Sequence, residues 1–220
     1  GGLRCGMGGM RSRPAPAGLA IDGDSRTVPV GRVFCIGRNY ADNAKEMGAA
    51  AEAIFFTKPA SAVTTEAALP YPTETEDLHH EVELVLALGE GGTIIASGVG
   101  VDLTKRDLQA RLKAKSAPWE IAKGFDGSAP MGSLRLGEPP ASGAISLSVN
   151  GVARQSGDLD QMILPPAALL AELGRFFALQ PGDLVFTGTP AGVSALVPGD
   201  QVSARIAGLP PLDFTLTERR

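Results

Sequence analysis

The chain has 220 residues, 44% hydrophobic and 20% charged, which fits one domain with a sizeable core. Its formal net charge of −4 gives no electrostatic footing for nucleic acid or an anionic membrane surface as partner. No apolar run is long enough to span a bilayer, and Cys5 and Cys35, the two cysteines, suit a reducing, cytoplasmic setting better than a disulfide framework.

Residues 1–20 are Gly-rich and basic, with no apolar stretch of the signal-peptide kind. They read as a flexible tail ahead of a single domain over 21–220. Residues 31–37, "GRVFCIG", are a short apolar strand. In "RNYADNAKEMG", Asp42 or Asn43 is placed to cap a short helix ending at Gly48. Residues 53–63 read as a strand broken by Pro59, and "DLHHEVELVLALG" (77–89) as a buried strand. "GTIIASGVGVDLT" continues as strand up to Asp102. Residues 103–115 read as a helix, with Leu103, Leu108 and Leu112 on one face and Thr104 as cap. Asn150-Gly151 suits a type I′ turn between two alternating strands, and 164–179 reads as a helix with proline at its start. Two Pro-Gly-Asp turns then each precede a strand, and "LDFTLTE" adds another. With 28 glycines and 17 prolines, the chain is expected to be mainly β with short helices, an α+β class. It carries no dividing linker, no nucleotide-binding glycine fingerprint and no repeat of solenoid length.

The run at 77–89 poses an electrostatic problem. Strand side chains alternate, so Glu81 and Glu83 point the same way while Val82, Leu84, Leu86 and Leu88 form an apolar face. Paired carboxylates beside a core repel each other and lose hydration. Two readings are open. In one, the glutamates lie on a solvated face and Asp102 caps a helix. In the other, Glu81, Glu83 and Asp102 hold one divalent cation. Carboxylate oxygens without Cys or clustered His favour Mg²⁺, Mn²⁺ or Ca²⁺ over Zn²⁺, and three such ligands leave positions open for substrate and water. His79 shares the Glu81 face and His80 the opposite one; both are taken as structural.

The blocks "CIGRNYADNAKEMG", "FFTKPASAV", "LHHEVELVLALG", "GVDLTKRDLQ", "PWEIAKGFDGSAPMG", "LSVNGVARQSG" and "PGDLVFTGTPAGV" occur in the order found in the fumarylacetoacetate hydrolase family. Over roughly residues 31–217 the chain resembles its small single-domain members, related to acylpyruvate hydrolases and oxaloacetate-handling proteins. The resemblance implies a mixed β-sandwich or β-roll, usually a homodimer, with Mg²⁺ or Mn²⁺ on Glu81, Glu83 and Asp102. It implies small 2-oxo acid substrates, often β-dicarbonyls, which chelate the metal and react through a stabilised enolate. By motif it makes Lys123 and Gln109 catalytic, and places Arg106, Arg38, Lys58 and Thr189 on the substrate. Without it, Lys123 and Arg106 read as surface charges and Thr189 as a turn residue, although Trp119, Ile121 and Phe125 favour a partly buried Lys123.

The chain departs from many hydrolytic relatives at the lid helix that the resemblance implies. There a His followed three residues later by a Glu activates water; here Glu46 is present but Asn43 takes the His position. Asn orients a water or an oxygen but takes up no proton near neutral pH. Acylpyruvate-hydrolase-like C–C cleavage is the first expectation. Oxaloacetate decarboxylation or keto–enol tautomerisation is the alternative that Asn43 favours, and a non-catalytic 2-oxo-acid-binding protein is the third.

Overall fold

The computed structural model describes residues 18–41 and 54–219. Asn43, Glu46 and the helix expected up to Gly48 lie outside the described residues, as does Cys5.

A six-stranded mixed sheet runs in the order Arg135–Leu136, Ile94–Val101, Val82–Leu88, Leu184–Phe186, Val33–Gly37, Ile54–Lys58. A five-stranded sheet runs Val152–Asp158, Ala144–Val149, Gln201–Ile206, Leu212–Thr217, Ala68–Pro70. Most of the core lies between them: Leu84, Leu86, Val99 and Val101 from the first meet Ile145, Leu147, Val202 and Phe214 from the second. The outer face of the six-stranded sheet is also covered. Val85, Ala87, Cys35 and Phe186 pack there with Leu19 and Val28 of a hairpin, Gly18–Ala20 with Thr27–Pro29. The fold thus takes in Gly18–Ala20, residues the sequence reading assigns to the tail. Among the described residues no helix is long and apolar enough to cross a membrane, which leaves β-barrels unaddressed.

The α-helices that lie wholly within the described residues are short: α1 (Arg106–Ala114), α2 (Glu120–Lys123) and α3 (Pro166–Leu173). The expected helix at 103–115 begins later, and Thr104 caps nothing. It is buried in a two-residue strand opposite His79, and Lys105 takes the N-cap position without a side-chain bond. The helix expected at 164–179 ends at Leu173, with Gly174 following. The hairpin at 150–151 takes the expected turn, with φ of 52° at Asn150 and 77° at Gly151, the two left-handed residues of a type I′ turn.

Both faces of Val82–Leu88 are buried, so the Glu83 carboxylate enters the interior and the solvated-face reading fails. Glu83 pairs in register with Gly100, where an added Cβ would lie 2.6 Å from Val85 and 2.8 Å from Phe186. The ladder continues past the strand end, with the Asp102 N–H donating to the Glu81 carbonyl at 2.8 Å. That pairing sets the third carboxylate beside the first two.

Candidate active site

Glu81, Glu83 and Asp102 each offer an oxygen, and the three lie within 4.8 Å of one another. Three cations answer them. Lys123 Nζ bridges Glu81 at 2.9 Å and Asp102 at 2.7 Å. Arg106 donates to Glu81 at 2.6 Å, and Lys58 Nζ lies 2.8 Å from Asp102 Oδ1. Each cation comes from a different element: the edge strand Ile54–Lys58, the first turn of α1 and the last residue of α2.

The three carboxylates are not equivalent. Burial pushes the Glu81 carboxyl up, but Lys123 and Arg106 outweigh it and hold it well below the usual carboxylate range. Glu83 moves the other way. Burial, then the charges of Asp102 and Glu81, push it well above its ordinary value, against one backbone donor, Gly188 N–H at 2.7 Å. Burial works against the Lys123 charge, but Asp102 and Glu81 beside it hold its pKa above that of an ordinary lysine. With the carboxylates free of metal, Lys123 is held as an ammonium that donates to both Glu81 and Asp102.

The donor set fits a hard divalent cation. Asp102 Oδ1 is buried without an aligned hydrogen bond, its ion pair with Lys58 notwithstanding, and Glu83 is short of donors. Buried carboxylates in that state call for a positive charge between them.

A cleft enclosing about 510 Å³, counting its open mouth, reaches this cluster at Glu81 and Glu83, with Asp102 buried behind them. Glu81, Glu83, Lys123, Arg106, Gln109, Arg38 and Thr189 all line it. Gln109 is itself buried and accepts from Arg106 at 2.7 Å. Arg38 sits in the left-handed region, with φ of 66°, a strained position for a residue with a side chain. Its neighbour Asn39 holds that turn in place, bonding the Thr187 carbonyl at 2.8 Å and both the N–H and carbonyl of Leu164. Gly188 packs against Asn39 and has φ of 93°; a Cβ there would lie 2.8 Å from the Asn39 Cβ.

Lys58 is placed differently from the expectation of substrate contact. Its side chain is wholly buried beneath the cleft, bonded to Asp102, the Lys123 carbonyl and Ser128, so it supports the carboxylate from behind. The sequence reading also leaves out Lys113, which lines the cleft with its Nζ 4.9 Å above the Trp119 ring. The spacing carries the signal: Arg106, Gln109 and Lys113 fall at i, i+3 and i+7, one face of α1. Burial and the charges of Arg106, Arg38 and Lys123 depress the Lys113 pKa.

The chain thus defines a class of mixed-sheet protein that gathers three carboxylates at the end of one strand and bridges two of them with a lysine from a short helix. Residues 32–217 match the family model "Fumarylacetoacetate (FAA) hydrolase C-terminal", and the chain belongs to the fumarylacetoacetate hydrolase family of enzymes. Oxaloacetate tautomerase YcgM of Escherichia coli (strain K12) is 40% identical over 197 residues, covering 82% of this chain and 90% of its own. Fumarylpyruvate hydrolase of Ralstonia sp is 36% identical over 178 residues, covering 75% of this chain and 93% of its own. The crystal structure of fumarylpyruvate hydrolase from Pseudomonas aeruginosa in complex with Mn²⁺ and pyruvate superposes with a TM-score of 0.92. It shares 42% identity over 96% of this chain and 100% of that one.

Proposed function

We propose that this chain is a divalent-metal-dependent enzyme acting on small β-dicarbonyl 2-oxo acids through an enolate, with Glu81, Glu83 and Asp102 holding Mg²⁺ or Mn²⁺. The observation that carries this reading is the convergence of three carboxylates within 4.8 Å, two of them, Glu81 and Glu83, lining a cleft together with Lys123, Arg106 and Arg38, and the third, Asp102, buried beside them. A cation held there supplies Lewis-acid stabilisation to the developing enolate. The chain's own residues do the rest. Lys123, which lines the cleft beside Glu81, presents its ammonium to negative charge developing on the substrate. Arg106, held by Glu81 and Gln109, and Arg38 at the rim bind the carboxylate. Thr189 and Gln109 orient the 2-oxo group.

Two relatives bracket the chemistry, a hydrolase and an oxaloacetate tautomerase. Acylpyruvate-type C–C cleavage is the first reading. Tautomerisation or decarboxylation of oxaloacetate is the second, and Asn43, unable to serve as a base, favours it. A panel of acetylpyruvate, enol-oxaloacetate and keto-oxaloacetate, each with Mn²⁺ and with EDTA, separates them. The expected result is turnover of at least one substrate that EDTA abolishes. Asn43→His is expected to raise acetylpyruvate hydrolysis. Turnover indifferent to EDTA sinks the metal reading, and no turnover at all leaves a binding protein.

The enzyme is read as a cytoplasmic homodimer. Phe176 and Phe177, exposed at 66% and 39%, stand beside Phe55 and Phe34 and form an apolar patch suited to a second copy. Sedimentation velocity is expected to give a dimer, and a monomer at micromolar concentration contradicts it.

A further inference from the structure

The strand Val152–Asp158 is largely exposed, except at Gln155, which is buried to 1%. Its amide has one allowed orientation. Nε2 lies 2.8 Å from the Pro190 carbonyl, which only accepts, and Oε1 lies 3.1 Å from the Val82 N–H, which only donates. The two other bonds are then fixed. Oε1 accepts from His80 Nδ1 at 2.9 Å, so that ring nitrogen carries a proton, while His80 Nε2 meets the Ser194 hydroxyl at 2.9 Å. Nε2 donates to Thr189 Oγ1 at 2.8 Å. Thr189 thus accepts from Gln155, and its own proton has no acceptor among the described residues. Since Thr189 lines the cleft, that proton is left to a bound ligand.

We infer that Gln155 is a positioning residue: through its bond to Thr189 it fixes that hydroxyl as a hydrogen-bond donor to an oxygen of the bound 2-oxo acid. The same amide anchors the Val82 N–H, between Glu81 and Glu83, so one side chain ties the carboxylate strand to the Thr189 turn. His80 and Ser194 hold Gln155 in turn. Neither His80 nor Ser194 lines the cleft.

The inference rests on the functional reading above, and oxalate, a planar mimic of a 2-oxo acid enolate, tests the two separately. Its affinity for the Mn²⁺-loaded protein is measured by calorimetry in wild type, Thr189→Ser, Thr189→Val, Gln155→Leu and Gln155→Leu/Thr189→Val. Losing a hydrogen bond to a charged oxygen predicts about tenfold weaker binding in Thr189→Val, and losing only the fixed direction of that hydroxyl predicts a weakening of about threefold to tenfold in Gln155→Leu. The double variant is expected to be within about threefold of either single one, because both act through one proton. Thr189→Ser keeps the hydroxyl and binds like wild type. Where Gln155→Leu does not fold, Gln155→Met serves. It fills a similar space, offers Thr189 no donor and adds no charge, and is expected to weaken oxalate similarly, again without adding to Thr189→Val. Additive losses, or oxalate binding unchanged in the Gln155 variant, overturn the inference and leave the functional reading standing. A wild type that fails to bind oxalate with Mn²⁺ overturns both.

Discussion

Asp102→Asn is expected to lower metal-dependent turnover by at least about a hundredfold, the scale of losing a preorganised electrostatic group, and to destabilise the fold. Asp102 is buried, and it is the carboxylate on which two ammonium groups converge, Lys58 at 2.8 Å and Lys123 at 2.7 Å. Asparagine keeps the shape and removes the charge. Lys123 retains Glu81, but Lys58, wholly buried, is left without a carboxylate among the described residues. Breaking a buried pair from one side costs about 3–5 kcal/mol, which for a domain of this size lowers Tm by roughly 10 °C. Thermal melts in EDTA measure the stability part free of metal. The double variant Lys58→Met/Asp102→Asn is expected to melt above Asp102→Asn, because removing the orphaned ammonium relieves most of the penalty. A single variant that melts like wild type, or a double variant that melts lower still, contradicts this account of the pair.

The carboxylate cluster was legible because two carboxylates at i and i+2 in an apolar strand demand compensation, and the ladder that brings Asp102 opposite Glu81 follows from adjacent strands. The burial of Glu83 was only half legible. Alternation marks one apolar face of Val82–Leu88, but the second depends on a hairpin some 60 residues upstream, and no local pattern reports that. Helix α1 begins at Arg106 because Thr104 and Lys105 are captured by a strand pairing with His79 and Leu78, a tertiary contact that overrides the capping signal. The role of Lys58 was hidden for a related reason. A lysine at the end of an edge strand reads as solvent-facing, and only the approach of α2 and Ser128 encloses it. Gln155 gave no signal at all: one glutamine in an exposed strand differs from its neighbours only in what lies beneath it.

Glu83→Gln is expected to stabilise the metal-free protein near neutral pH and to abolish most of its stabilisation by Mn²⁺. Burial and the charges of Asp102 and Glu81 raise the Glu83 carboxyl well above its ordinary value of 4.5, whereas glutamine fills the same space, still accepts from Gly188 and offers an amide to the flanking carboxylates. The pH dependence has a definite sign. Below the ordinary carboxylate value Glu83 is protonated in both folded and unfolded chains, and its charge does no harm. As pH rises past that value the unfolded chain sheds the proton first, so the native state loses stability until the raised folded value is passed. The difference in Tm between variant and wild type, measured in EDTA, should therefore grow from pH 5 towards pH 8. Depressed neighbours such as Glu81 contribute the opposite slope, but to both proteins alike, and so largely cancel in the difference. Metal reverses the ranking: a divalent cation replaces the proton on Glu83 and raises the wild-type Tm more at higher pH, while the variant has lost a ligand. A difference curve flat across pH, or an Mn²⁺ shift as large in the variant as in wild type, means that Glu83 is neither the strained carboxylate nor a ligand.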